Sequence, residues 1–362
     1  MEITTISLQN NIPIRNWWTS CSFYINNIIW QKHKLNFLYF LKDNNQIWEI
    51  PMQINFSSQY IHNSHTISLL PKLLQRMNFE FLFWNSELKK IKTEIILLES
   101  PYLFHIAKII SKHNNNCPIY LLEHNIESEY YRREWFKFWK IIEFYEKWVL
   151  KRVNKVFTIS KHDYLYFKNL NFLKNISYLK LWVSKEIFSP DWDKYDFNTN
   201  KLNILFYWSL DLWFNKNALN FIRNKLRPKL DNNFCIHICG KTSNEIYEKD
   251  NIVYHWFVDK IQNYIRWCDV VVVPISWTVW VNMRILEALF CWKIVLVSED
   301  SYKWLDDDLK KIVFKCSSLD DYIKILKKLR KTPNYRYHYE KNIQKAIKDY
   351  INNSENILNH IL

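Results

Sequence analysis

Short runs of apolar residues alternate along the chain with longer stretches in which apolar residues recur every three or four positions. The short runs predict strands and the longer stretches predict helices. In the first half we expect strands at 3–8, 35–41, 94–98, 118–122, 155–159 and 176–181, and helices at 20–29, 67–77, 102–111 and 127–153.

The pattern restarts after a polar stretch near residue 190. In the second half we expect strands at 202–207, 234–239, 252–254, 270–273 and 294–297, helices at 215–223, 260–265, 281–290 and 319–329, and a last basic helix from about Tyr335. Alternating strands and helices are typical of a parallel sheet that helices cover on both faces. The restart therefore predicts an α/β protein with two Rossmann-like domains, hinged near residue 190 and facing each other across a cleft.

Glycine is almost absent from a chain whose pattern requires it. The 362 residues include one glycine, Gly240, and 18 tryptophans, whereas a chain of this length ordinarily has roughly 25 glycines. An α/β protein needs glycine for turns with positive φ and for close backbone approaches. Tryptophans stand at several positions of this kind, between apolar strands and helices: Trp17, Trp18, Trp208, Trp277, Trp280 and Trp292.

We interpret most of these tryptophans as glycines of the encoded protein. A UGA codon that the source organism translates as glycine would appear as tryptophan in this sequence. Glycine and tryptophan together number 19 (1 + 18), which is close to a normal glycine content. The alternative is a genuinely tryptophan-rich chain, such as a carbohydrate binder whose indole rings stack on sugars.

Composition also excludes several classes of protein, including membrane-spanning ones. No apolar run approaches the roughly 18 residues of a membrane span, and the N-terminus lacks the basic and apolar segments of a signal peptide. Seven cysteines without paired spacing are typical of a reducing compartment. We therefore expect a cytoplasmic protein, and the eleven histidines show no zinc-binding motif.

The net charge of +14 suits nucleic acid, an anionic membrane surface or phosphate-bearing substrates. Most lysine clusters fall on predicted helices and are expected to be solvated, and none belongs to a nucleic-acid-binding motif. The predicted helix 127–153 is both basic and rich in aromatic residues. It either packs on the sheet through its aromatic side chains or lies on an anionic membrane beside a lipid-linked acceptor. We expect its tryptophans, Trp135, Trp139 and Trp148, to be genuine, because glycine within a helix is unfavourable.

The block 268–299 has the most specific arrangement of residues. If positions 277, 280 and 292 are glycines, it becomes a strand, a glycine-bearing loop, a helix, a glycine and a second strand. The start of that helix would offer free backbone N–H groups to an anion. Arg284 and Glu287 lie three residues apart on one helix face, where a guanidinium can neutralise a diphosphate and a carboxylate can accept ribose hydroxyls. A surface ion pair is the alternative interpretation.

This block resembles the nucleotide-sugar motif of family-4 retaining glycosyltransferases, which have the GT-B fold. Further segments are similar to motifs of that family and occur in the same order: 13–19, 123–127 together with Glu143 and Ser160, 181–183, 188–190, 206–210, 215–219, 238–241 and 256–259. Tryptophans fall repeatedly where the family has glycine. The resemblance implies an acceptor-side domain at 1–187, a nucleotide-sugar domain at 188–334 and a C-terminal helix at 335–362 that packs back toward the first domain.

The resemblance implies a hexosyltransferase-like enzyme that transfers a sugar with retention to a glycan or lipid-linked acceptor, with no cofactor besides the donor. Catalytic roles are implied for His124, Arg284 and Glu287, and donor contacts for Trp17, Trp18, Trp208, Ser209, Lys216, Trp277, Thr278, Val279, Trp280, Arg284 and Glu287. Glu287 would bind the ribose, and Arg284 and Lys216 the diphosphate. His124 and the loop 17–19 would face the acceptor and the reacting sugar.

Two departures from the family motif leave other functions open. Many members have two glutamates with seven residues between them, and Val279 stands where the first would be. Ser209 occupies the place of the family's basic residue. An inactive relative that only binds nucleotide sugars or glycans is therefore one alternative, and a basic nucleic-acid-binding protein is the other.

Overall fold

The computed structural model describes residues 1–7, 26, 33–41, 59–63, 88–133, 136–180, 197, 200–208, 210, 213–240, 248–255, 258, 261–276 and 282–359. The chain divides into two compact units, Met1–Leu181 and Trp182–Leu362. Each unit is a parallel α/β sandwich of the Rossmann-like type, as the alternation of strands and helices predicted.

The first unit contains a sheet of seven described strands in the order β3-β2-β1-β4-β5-β6-β7, with all neighbours parallel. The strands are β1 (Glu2–Ile6), β2 (Lys34–Leu41), β3 (Gln59–Asn63), β4 (Ile95–Leu98), β5 (Ile119–Glu123), β6 (Lys155–Thr158) and β7 (Ile176–Tyr178). The described helices are α1 (Phe104–His113), α2 (Glu127–Arg133), α3 (Trp139–Leu150) and α4 (Lys161–Lys168). Buried aliphatic side chains from β1, β4, β5 and α1 form the core.

The predicted helix 127–153 is wrong as a single element, because α2 and α3 are separate helices. The backbone N–H of Phe136 donates to the carbonyl oxygen of Tyr131, five residues back, and Phe138 has left the helical conformation. The Glu146 carboxylate of α3 accepts hydrogen bonds from the first N–H groups of α2, at Glu127 and Ser128. That contact requires the chain to reverse between the two helices. The predicted helices 20–29 and 67–77 lie outside the described residues, apart from the single helical residue Asn26.

The second unit contains another sheet of seven described strands, in the order β10-β11-β9-β8-β12-β13-β14. The strands are β8 (Leu202–Tyr207), β9 (Phe234–Cys239), β10 (Glu248–Lys249), β11 (Ile252–Tyr254), β12 (Val270–Val273), β13 (Ile294–Ser298) and β14 (Phe314–Cys316), and only β10 is antiparallel to its neighbour. The described helices are α5 (Trp213–Phe221), α6 (Ile261–Trp267), α7 (Met283–Phe290), α8 (Glu299–Lys303), α9 (Asp307–Lys310), α10 (Leu319–Lys331) and α11 (Pro333–Asn359).

Four of the second unit's strands have the bounds predicted from their apolar runs: β8, β9, β11 and β12. The strands that the pattern missed, β3, β10 and β14, all lie at the edge of a sheet. An edge strand has one neighbour instead of two, so its sequence does not need an uninterrupted apolar run.

The long C-terminal helix α11 contacts α7, α10 and β13 of its own unit. Arg336 of α11 forms an ion pair with Asp269 at 3.1 Å. Packing of this helix toward the first unit stays a prediction. Across the described part of the chain, every helix is too short or too polar to cross a bilayer.

Candidate functional site

A partly buried ion pair lies at the carboxyl end of the second sheet. Tyr207 is the last residue of β8, and α7 begins after the loop that follows β12. Arg284 Nη1 of α7 lies 2.8 Å from Glu287 Oε2 and 3.1 Å from Oε1. The Tyr207 hydroxyl lies 2.9 Å from the carbonyl oxygen of Arg284 and 3.4 Å from Glu287 Oε2. The sheet therefore positions a phenol, a guanidinium and a carboxylate together.

The surroundings of this group favour polar recognition. Glu287 is buried, whereas the Arg284 side chain stays partly exposed and its guanidinium lies 5.3 Å from the centre of the Tyr207 ring. Burial, and then the charge of Glu287, raises the pKa of Tyr207 well above its usual value, so its hydroxyl remains a donor. A carboxylate offers only acceptors and a guanidinium only donors, so the pair can bind hydroxyls and an anion side by side.

The start of α7 fits this arrangement. Asn282 is the N-cap, and its side-chain oxygen accepts a hydrogen bond from the backbone N–H of Arg284 at 3.1 Å. The cap orients the first turn, and the spacing of three residues then brings Arg284 and Glu287 onto one face. The carboxyl ends of parallel strands, next to helix N-termini, are where α/β proteins commonly bind ligands.

Gly240 follows β9 and packs against the backbone that follows β8. The N–H of Trp208 donates to the carbonyl oxygen of Cys239 at 2.9 Å. Gly240 has a φ of +152°, and a β-carbon at this position would lie 1.9 Å from the carbonyl oxygen of Trp208. The one glycine of the sequence therefore stands where no other residue fits. Trp208 is half-buried, and its ring stacks on Phe206 at 5.4 Å.

Trp292 ends α7 in a conformation that favours glycine. Its φ is +61° and its side chain is 46% exposed. The N–H of Trp292 donates to the carbonyl oxygen of Leu289, and the N–H of Lys293 donates to that of Ala288. This pair of hydrogen bonds is the Schellman motif, whose left-handed residue is usually glycine.

Of the other predicted donor residues, Lys216 lies exposed in the first turns of α5. The remaining ones, Trp17, Trp18, Ser209, Trp277, Thr278, Val279 and Trp280, lie outside the described residues.

In the first unit, His124 directly follows β5 and is buried. Burial lowers the pKa of His124 to about 3, so the imidazole is neutral at pH 7 and can exchange hydrogen bonds without carrying a charge. Ser160 caps α4 by accepting from the N–H of Asp163 at 3.1 Å. Glu143, which the family motif singled out, forms a partly exposed ion pair with Lys147 at 2.6 Å.

Buried carboxyl groups from separate parts of the chain lie near Glu123, the residue before His124, and the sequence did not predict that they come together. Glu123 ends β5, and burial together with the nearby charges of Glu146, Glu127 and Asp163 raises its pKa well above the usual value. The pKa of Glu146 rises to about 8, first because it is buried and then because of Glu127. The Tyr102 hydroxyl donates to Glu127 at 3.1 Å. One sequence feature could have identified Glu123: it is a charged residue at the end of an apolar run that forms a buried strand.

Tyr207 was also missed as a site residue, because an aromatic residue at the end of a buried strand is ordinarily a core residue. Among the described residues, no group of three or more histidine, cysteine, aspartate or glutamate side chains is arranged to hold a metal ion. That the protein acts without a metal ion stays a prediction.

No protein-family model and no curated protein sequence matches this chain. Solved structures do match its fold. The structure of Anabaena HepE in complex with UDP and glucose aligns with a TM-score of 0.68 at 12% identity, over 100% of this chain and 99% of HepE. The sucrose-phosphate synthase of Thermosynechococcus elongatus aligns with a TM-score of 0.72 at 11% identity, over 96% and 94%.

A glycosyltransferase from Rickettsia africae aligns with a TM-score of 0.59 at 13% identity, over 96% of this chain and 97% of that one. At such low identity these similarities establish the fold: the chain has the two-unit α/β architecture of these proteins, which is the GT-B fold that the sequence motifs implied.

Proposed function

We propose that this protein is a glycosyltransferase that transfers a hexose from a nucleoside-diphosphate donor to an acceptor hydroxyl, with retention of configuration, during synthesis of a bacterial surface glycan. The observation that carries the proposal is the partly buried Arg284–Glu287 pair beside Tyr207, at the carboxyl end of the second sheet. The fold supports it, since HepE, of similar fold, was solved with UDP and glucose bound.

Each residue of the pair has a role that follows from its chemistry. The two oxygens of Glu287 accept hydrogen bonds from the vicinal hydroxyls of the donor ribose. Arg284 and Lys216 neutralise the diphosphate, and the N–H groups of the loop before α7 stabilise the charge that grows on the leaving phosphate. Tyr207 helps to hold the carboxylate, since its hydroxyl lies 3.4 Å from Glu287 Oε2.

The proposed chemistry needs no protein nucleophile. Val279 cannot attack the sugar, and Glu287 is assigned to the ribose. The bond from the anomeric carbon to the leaving phosphate breaks while the acceptor oxygen adds to the same face. The departing phosphate oxygen then takes the proton of the acceptor hydroxyl. No divalent metal is required, because Arg284 and Lys216 supply the positive charge. His124 contributes a neutral hydrogen-bonding group on the acceptor side.

The proposal includes glycine at the tryptophan positions where the family motif has glycine, namely 17, 18, 208, 277, 280 and 292. Its support among the described residues is the left-handed backbone of Trp292 in a Schellman motif. Sequencing the gene tests this part directly. UGA codons at these positions are the expected result, and UGG codons would remove it.

The enzymatic proposal is tested on protein synthesised with glycine at the recoded positions. We expect hydrolysis or transfer with one donor in a screen of radiolabelled nucleoside-diphosphate hexoses. Glu287→Gln keeps the shape of the side chain but removes a charged acceptor, which is worth about 1.5–3 kcal/mol. The donor Kd should therefore rise by roughly tenfold to a hundredfold.

Asp308→Asn is the matched control, because Asp308 forms an exposed ion pair with Lys311 in the same unit. It should leave donor binding unchanged. Donor binding without turnover would favour the inactive relative. Absence of donor binding, combined with steeply salt-dependent binding to random duplex DNA, would favour the nucleic-acid-binding alternative.

A further inference from the structure

Helix α3 exposes an apolar surface on the first unit. Phe138, Ile141 and Phe144 are 60%, 59% and 73% exposed, and they are spaced three residues apart at the start of the helix. Isolated exposed apolar residues are ordinary on protein surfaces, but a contiguous set of large ones marks an interaction site.

The opposite face of α3 already has its packing partners. Ile142, Val149 and Leu150 are buried, and Trp148 packs edge-on against Phe104 at 5.6 Å. The exposed residues therefore take no part in the core of the unit, and their apolar character is not explained by packing within it. The sequence left two interpretations of this segment open, packing on the sheet or lying on a membrane. The structure is compatible with both, because one face of α3 packs on the unit and the other is exposed.

Lysines lie among the exposed apolar residues. Lys137 and Lys140 are exposed and alternate with Phe138 and Ile141, and Lys151 is exposed at the C-terminal end of the helix. The Lys140 ammonium lies 5.8 Å from the centre of the Trp139 ring, so its stem stays close to the apolar surface. Apolar side chains flanked by lysines are the composition of helices that lie in the headgroup region of anionic membranes.

We propose that α3 binds the surface of an anionic lipid bilayer, with Phe138, Ile141 and Phe144 inserted among the headgroups and Lys137, Lys140 and Lys151 against lipid phosphates. The charge decides between possible occupants. A second copy of a chain with a net charge of +14 would bring lysines against lysines and be repelled. An anionic bilayer offers negative charge and apolar depth in the same place. The inference does not rest on the proposed enzymatic function.

The test is co-sedimentation of the purified chain with vesicles of phosphatidylcholine and phosphatidylglycerol at a molar ratio of about 7:3. Vesicles of phosphatidylcholine alone are the comparison. We expect binding to the anionic vesicles that weakens as salt rises. Ile141→Gln with Phe144→Gln should weaken it by at least about tenfold, because each inserted side chain contributes through its buried apolar area. Lys137→Gln with Lys140→Gln should weaken binding by a similar factor.

Tyr337→Gln is the control for the apolar residues, since Tyr337 is 57% exposed on α11. Lys327→Gln with Lys331→Gln is the control for charge, because both lysines are exposed on α10. These controls should bind vesicles like the unchanged chain. All changed residues are exposed, so circular dichroism should show unaltered folding.

Equal vesicle binding by the α3 variants and the unchanged chain would overturn the proposal, as would the absence of any binding to anionic vesicles. Self-association in sedimentation velocity that Phe144→Gln abolishes would overturn it in favour of a second copy. Nucleotide-sugar binding is measured in the same preparations. A variant that loses vesicle binding but keeps donor binding shows that the two proposals fail or hold independently.

Discussion

The carboxylate of Glu146 accepts a hydrogen bond from the backbone N–H of Glu127 at 2.8 Å, so that a side chain of α3 caps the start of α2. It also accepts from the Ser128 hydroxyl at 2.9 Å. Burial raises the pKa values of three carboxylic acids of this cluster, Glu123, Glu146 and Asp163. The folded first unit therefore keeps protons on these buried carboxyl groups at pH values at which the same groups would be ionised in an unfolded chain.

Glu146→Gln should reduce the alkaline sensitivity of the first unit. The folded pKa of about 8 exceeds the ordinary value of 4.5, so the folded state binds more protons between these values. Stability from this proton is complete below about pH 4.5 and is lost as pH rises toward 8, by at most about 1.4 kcal/mol per pH unit. Glutamine keeps an acceptor for Glu127 but does not titrate, so urea unfolding should vary less with pH and be more favourable to the folded state at pH 8.

Glu143→Gln controls for loss of a carboxylate from the same helix. It breaks a partly exposed pair with Lys147 and should change the free energy of unfolding by less than about 1 kcal/mol. If Glu146→Gln and the unchanged chain lose stability equally between pH 5 and 8, the raised pKa of Glu146 is contradicted.

His237→Gln should make the second unit less sensitive to acid. His237 is buried, its Nδ1 lies 2.9 Å from His255 Nε2, and burial followed by the charge of His255 lowers its pKa to about 3. The unfolded chain binds a proton near pH 6.5 that the folded state does not, so stability is complete above 6.5 and falls as pH decreases. By pH 5 the loss is about 2 kcal/mol for this histidine.

The measurement is urea unfolding between pH 5 and 7.5. Asn203→Ala is the control, because Asn203 Oδ1 lies 3.1 Å from His237 Nε2 and its removal leaves both imidazoles in place. That variant should be less stable at pH 7 by about 1 kcal/mol and should retain the dependence on pH. If the free energy of unfolding of His237→Gln varies with pH as steeply as that of the unchanged chain, His237 is not the source of the acid sensitivity.

Trp292→Gly should stabilise the protein. A left-handed backbone costs a residue with a β-carbon about 1–2 kcal/mol, and the indole of Trp292 is 46% exposed, so its removal loses less buried surface than removal of a core tryptophan. We expect the free energy of unfolding to rise by about 1 kcal/mol in urea denaturation. A lower value would show that the indole contributes more than the strain costs.

Trp148→Gly is the matched substitution at a tryptophan that we expect to be genuine. Trp148 stacks on Tyr145 at 5.8 Å, and the Arg152 guanidinium lies 4.0 Å from its ring centre. Removal of so large a packed side chain should cost at least about 3 kcal/mol. Opposite signs at 148 and 292 are the outcome that separates genuine tryptophans from positions where glycine belongs.

Gly240→Ala should destabilise the second unit strongly. The added β-carbon would lie 1.9 Å from the backbone oxygen of Trp208, which cannot turn away as a side chain could. Backbone strain and overpacking each cost about 1–3 kcal/mol, so we expect a loss of about 2–6 kcal/mol in urea denaturation, or insoluble protein. Asn116→Ala is the control, since Asn116 is exposed with a φ of +56° and tests the backbone conformation without a clash. A loss no larger than that of Asn116→Ala would contradict the clash.

The contact between Arg284 and Glu287 was predictable from the sequence, because it is local. Arg284 and Glu287 share a face by helical spacing alone, and the predicted bounds of β8 placed Tyr207 at a strand end. That the Tyr207 hydroxyl reaches α7 was not predictable, since 77 residues separate Tyr207 from Arg284. Glu146 was missed for the same reason, as its partners lie on another helix.

What the sequence by itself determined is the order of strands and helices and the presence of two α/β units, because central parallel strands must be apolar on both faces and their runs are therefore visible. It also showed that glycine is rare and tryptophan abundant, with one and 18 residues respectively. The tertiary structure decided the edge strands, the chain reversal between α2 and α3, and the exposure of Phe138, Ile141 and Phe144. These depend on which surfaces find a partner, and a periodic pattern records only that a side chain is apolar.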